Sequence, residues 1–128
     1  MGPRLNHTIV WCRDPQVSSS YLARTLGTDA PVAWGPFLDV VMANDVTLAY
    51  LEYEGTDDEI PSQHYAFLVT ENEFDQVFGR ITSNGQRYWA DPALRDEGSI
   101  NHHDGGRGVY FKDPDGHLLE IITRPYGG

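Results

Sequence analysis

Eight short stretches of the chain read as strand candidates and two others carry apolar residues at helical spacing, and the order of these stretches repeats. Residues 5–13 put His7, Ile9 and Trp11 on one strand face and Thr8, Val10 and Cys12 on the other. Residues 64–69 do the same, with His64, Ala66 and Leu68 opposite Tyr65, Phe67 and Val69. A helix is predicted after each. The first spans Pro15–Leu26, carries Val17, Tyr21, Leu22 and Leu26 at helical spacing, and stops at Gly27. The second opens on the capping box Thr70-Glu71-Asn72-Glu73, carries Phe74, Val77, Phe78 and Ile81 on one stripe, and stops at Gly85.

Three further strands are predicted after each helix, at 30–34, 37–43 and 46–53, then at 86–90, 108–112 and 117–123. Within the last pair, Asp113-Pro114-Asp115-Gly116 makes a turn, because Pro presets φ and Gly is free to take φ > 0. The chain therefore reads as one α+β domain over 1–128 built from two βαβββ modules, about 4–54 and 62–124, joined by a polar linker at 54–62. The connection at 91–107 is long and rich in Gly, Asp and His, including His102 and His103. Long loops of this kind are usually functional or mobile.

Composition narrows the picture only slightly. At 128 residues and 40% hydrophobic content the chain is long enough and apolar enough for a globular core. A formal net charge of −10 argues against nucleic acid or anionic membranes as partners. Cys12 is the single cysteine, so no internal disulfide is possible. No run approaches about 18 apolar residues, and residues 1–8 carry no signal-peptide core. A cytoplasmic protein is expected.

The candidate chemistry lies in the repeat. His7 and His64 occupy equivalent positions at the start of the first strand of each module. In 117–123, Leu118, Glu120 and Ile122 share one face, and a carboxylate on an apolar face is costly to bury unless something cationic meets it. Two imidazoles and a carboxylate form a ligand set that leaves a divalent metal with open positions. His7, His64 and Glu120 are therefore the candidate metal ligands. Iron(II) or manganese suits that set best, and zinc or nickel is also accommodated.

With these features the sequence resembles the vicinal oxygen chelate superfamily, which includes glyoxalase I, fosfomycin-resistance thiol transferases, extradiol dioxygenases and bleomycin-binding proteins. The resemblance covers nearly the whole chain. It implies a cup-shaped mixed sheet of eight strands with the metal inside, completed in small members across a homodimer. The tail also fits the extradiol pattern through Asn101, His103, Val109, Tyr110, Asp113-Pro114, Gly116 and Glu120. By that resemblance Glu120 is a ligand, while His103 and Tyr110 are catalytic groups that hydrogen-bond a bound catecholate. The implied activity is metal-dependent ring cleavage of a small vicinal-oxygen substrate.

Departures from the pattern define the alternatives. No His lies between His7 and His64 to serve as the proton donor that ring-cleaving enzymes take from the other module. Aligning the turns puts Ala49 opposite Glu120, where glyoxalase I has a fourth ligand, although Glu52 lies near. A fosfomycin-type transferase needs a cationic pocket, to which Arg87, Arg95, Arg107 and Lys112 are the available contributors. A metal-free protein that sequesters an aromatic natural product is the reading from another class. Trp11, Phe37 and Tyr65 are candidate substrate-contacting aromatics, with Trp34, Trp89 and Tyr88 as further members, and Arg107 is the candidate cationic contact.

Overall fold

Helix starts and stops come from side chains at fixed places. In α1 (Pro15–Leu26) the Asp14 carboxylate accepts from the Gln16 amide, Pro15 takes the first helical position, and Gly27 closes the helix at φ 76°. In α2 (Glu71–Ser83) the predicted capping box forms: Thr70 Oγ1 accepts from the Glu73 amide while the Glu73 carboxylate accepts from the Thr70 amide. The structure, a computed structural model, describes residues 2–126. It divides into two compact units, Met1–Pro61 and Ser62–Gly128.

The first unit contains β1 (His7–Cys12), α1, β2 (Val32–Trp34), β3 (Phe37–Val41) and β4 (Thr47–Glu52). Its sheet has the order β1-β4-β3-β2, with β1 parallel to β4 and the other pairs antiparallel. The second unit contains β5 (His64–Leu68), α2, β6 (Tyr88–Trp89), β7 (Gly108–Lys112) and β8 (Leu118–Ile122), in the order β5-β8-β7-β6 and with the same directions. The eight strands thus pair as two four-stranded mixed sheets, each with one helix.

Alternation divides each sheet into two faces. Val10, Cys12, Val40, Leu48 and Tyr50 make up the buried side of the first, with Leu22 of α1. Val109, Phe111, Leu119 and Ile121 do so in the second, with Phe74, Val77 and Ile81 of α2. Each such fully buried side chain contributes about 1.5–3 kcal/mol. The stripe expected on α1 is rotated. Ser18, Ser19, Leu22, Ala23 and Thr25 face inward while Val17 is 53% exposed, because the small side chains let the helix sit close on β3 and β4.

The 91–107 connection is tied down locally. Asp91 accepts from the amides of Arg95 and Asp96, Trp89 bridges Glu97, and Asn101 bridges Gly108. It also contains a short 3-10 turn, His103–Gly105. No helix among the described residues is long and apolar enough to cross a membrane.

Candidate metal centre

The sheet register puts His64 beside Leu118, and Glu120 between Ala66 on β5 and Tyr110 on β7. His64, Glu120 and Tyr110 therefore share the face turned away from the core side chains. Glu120 is only 1% exposed, whereas His64 is exposed. A buried carboxylate is costly unless it is bonded. Two groups meet this one: Tyr126 donates its hydroxyl to both oxygens, at 3.0 and 3.1 Å, and His64 Nε2 lies 3.2 Å from Oε1.

The tautomer follows from the remaining contact. His64 Nδ1 lies 2.9 Å from the Leu118 carbonyl oxygen, which only accepts, so Nδ1 carries the proton and donates. Nε2 then faces the carboxylate, as an ion pair when it carries a second proton and as a bare lone pair when it does not. Two lone-pair groups converging at 3.2 Å require a proton or a cation between them. A histidine whose other nitrogen is tied to a backbone carbonyl is also the usual arrangement behind a metal ligand. The donor set thus fits a divalent ion. Among the described residues no group of three or more His, Cys, Asp and Glu side chains able to hold one is present, so His64 and Glu120 stand as a pair.

Tyr110 stacks against His64, with centroids 6.1 Å apart and planes at 24°. Its hydroxyl lies 3.3 Å from that of Tyr126. Since the Tyr126 proton goes to Glu120, Tyr110 is the donor in that contact. Burial pushes the Tyr110 phenol far above the ordinary tyrosine range, and the neighbouring Tyr126 hydroxyl and Glu120 carboxylate add to the effect.

In the first unit the same register puts Ala49 where Glu120 stands in the second, and Asp39 where Tyr110 stands. His7 is exposed, and its Nδ1 lies 2.8 Å from Asn6 Oδ1, leaving Nε2 as the outward nitrogen. It lines a cleft of about 250 Å³ together with Trp34, Phe37, Asp39, Thr47 and Ala49.

The other sequence candidates fall in several places. Phe37 lies in that cleft, against Trp34. Trp11 meets Tyr53 edge-on at 5.7 Å. Tyr65 is on the core side of β5, opposite His64, with its hydroxyl accepting from Gln63. His103 begins the 3-10 turn, exposed, its amide donating to Asn101 Oδ1. Arg107 ties β7 to α2: its guanidinium donates to Glu71 and Asp75 at 2.8 Å and lies 4.3 Å over the Phe74 ring. Arg87 is likewise paired with Glu97 at 2.8 Å. Tyr126 and Asp39 escaped the sequence reading. Asp39 was open to detection by the argument used for Glu120, since it lies between Phe37 and Val41 on an apolar strand face.

Known proteins are similar to this chain in sequence and fold to different degrees. The sequence pattern of the Glyoxalase/Bleomycin resistance protein/Dioxygenase superfamily matches residues 4–121. The solved structure of oxidase ChaP-H1 is 53% identical with a TM-score of 0.95, covering 99% of this chain and 100% of that one. Oxidase ChaP-H2 is also 53% identical, with a TM-score of 0.94 over 100% of this chain and 98% of that one. Glutathione transferase FosA of Serratia marcescens is 29% identical over 124 residues, 91% of this chain and 78% of its own length.

Proposed function

The chain belongs to the Glyoxalase/Bleomycin resistance protein/Dioxygenase superfamily, and from that premise we propose that it is a divalent-metal-dependent oxidase acting on a small aromatic substrate with two vicinal oxygens. The observation that carries this reading is the convergence of the His64 Nε2 lone pair and the buried Glu120 carboxylate at 3.2 Å. Similarity to two proteins named as oxidases supports oxygen chemistry. His7 joins the ligand set in this reading because its strand position is the repeat equivalent of His64, and a homodimer is the assembly in which the family resemblance completes such a set.

A divalent ion held by these side chains supplies Lewis acidity toward the two substrate oxygens and, as iron(II), reactivity with dioxygen. The chain's own residues do the rest. The Leu118 carbonyl fixes the His64 ring with Nε2 toward Glu120, and the Tyr126 hydroxyl bonds both oxygens of the buried Glu120 carboxylate. Tyr110, its hydroxyl turned from Tyr126, donates a hydrogen bond to a substrate oxygenate as negative charge develops. His103 serves as the acid–base group, with 91–107 restricting water.

The thiol-transferase alternative needs a cationic pocket for a phosphonate. Arg107 and Arg87 already have carboxylate partners, which weighs against it. The test is anaerobic reconstitution with iron(II), then a panel of catechols followed by oxygen uptake. Oxygen consumption that depends on iron and is lost in Glu120→Ala is expected. Tight binding of polycyclic aromatics by metal-free protein, with no turnover, would replace the enzyme reading by sequestration.

A further inference from the structure

Asp39 has no place in the chemistry above, yet its surroundings are unusual. Its Oδ1 is closed to solvent and accepts no hydrogen bond, one of only three such side-chain atoms among the described residues. Orphaned buried acceptors are rare and tend to mark places where a partner arrives. The carboxylate belongs to a strand face with Phe37, next to Ala49 on β4. In the second unit the position of Ala49 is filled by Glu120, so the methyl side chain leaves room beside Asp39 that the repeat partner does not have. That room is the cleft of about 250 Å³ that His7, Trp34, Phe37 and Thr47 also line. Trp34 is 68% exposed there, its ring 6.2 Å from that of Phe37. One wall is thus aromatic and uncovered, and the half-buried Asp39 carboxylate, with one oxygen sealed from solvent, lines the floor.

We infer that Asp39 is a specificity-determining acceptor: it takes a hydrogen bond from a hydroxyl or N–H carried on an aromatic ring lying against Trp34 and Phe37. The inference deepens the aromatic-substrate reading and rests on it. The cleft is small, on the scale of a one- or two-ring fragment rather than of a drug-sized ligand. Rotation about the broad χ2 torsion of aspartate turns either oxygen toward the cleft. Among the described residues no third His, Cys, Asp or Glu joins Asp39 and His7, just as none joins His64 and Glu120. A site built to bond a donor rejects the analogue that lacks it far more strongly than an apolar pocket discriminates by size.

The test uses the full chain in chelator and two probes that cannot chelate a metal, 2-naphthol and 2-methoxynaphthalene, titrated by tryptophan fluorescence. Wild-type protein is expected to prefer the naphthol by about tenfold, the value of one buried hydrogen bond. Asp39→Leu, which keeps volume and removes the acceptor, collapses that preference to about twofold or less while still binding the ether. Asp39→Asn, whose amide oxygen still accepts, keeps part of it, and Trp34→Ala weakens both probes alike. Circular dichroism confirms that each variant is folded. An unchanged preference in Asp39→Leu overturns the inference, as does Trp34→Ala binding like wild type. Neither result depends on metal, so failure of the metal-dependent reading shows separately, as absence of iron binding in the reconstitution.

Discussion

The two units share one topology and one register but put different chemistry at equivalent places. On the face away from the core, the second unit sets His64, Glu120 and Tyr110 side by side. The first sets His7, Ala49 and Asp39 at the same positions. The second unit's carboxylate is buried and bonded from two sides, whereas the first unit's is partly open and lacks a partner for one oxygen. A repeated scaffold thus keeps a histidine in both copies and shifts the acid by one strand. In the proposed division of labour, the second copy gives the ion His64 and Glu120, while the first gives it His7 and orients the substrate through Asp39.

The largest expected effect comes from undoing that difference. Ala49→Glu puts a second carboxylate on a face where Ala49 is 5% exposed. Without a cation it is expected to destabilise the protein by about 3 kcal/mol or more, the cost of an uncompensated buried charge. Because His7 stands to position 49 as His64 stands to Glu120, manganese(II) raises the melting temperature of this variant more than that of wild type. Thermal unfolding with and without the ion reads both effects.

Tyr126→Phe comes next. It removes the hydroxyl that meets both Glu120 oxygens and leaves the carboxylate with His64 and the neighbouring Tyr110 hydroxyl. A loss of about 1.5–3 kcal/mol in urea unfolding is expected, the usual worth of a hydrogen bond to a charged group. The smallest effects separate the two surface arginines. Arg107→Ala lowers the midpoint measurably because the guanidinium also packs on buried Phe74. Arg87→Ala, whose partner Glu97 is exposed, leaves it unchanged within error at physiological salt.

Most of this fold was legible from local pattern. The stops at Gly27 and Gly85, the capping box at Thr70 and the β7–β8 turn each need only a few adjacent residues, and each formed as expected. The inward face of α1 was not legible, because Ser18 and Ser19 are polar by type and small by packing, and only the sheet beneath decides which property matters. The same limit governs the site. Glu120 and His64 declared themselves as polar residues on apolar strands. Tyr126 reaches Glu120 from beyond β8, a contact that no periodicity encodes. The engagement of Arg107 by Glu71 and Asp75 was equally hidden, since it joins residues far apart in the chain.

Anaerobic calorimetric titration of wild-type protein and Glu120→Gln with manganese(II) tests whether the His64–Glu120 pair holds an ion. One ion per chain is expected in the wild type. Loss of a group that only hydrogen-bonds a ligand weakens metal sites about 10–100-fold, so removal of the carboxylate itself is expected to weaken binding by at least about 100-fold. Equal isotherms for the two proteins would contradict the assignment of Glu120 as a ligand.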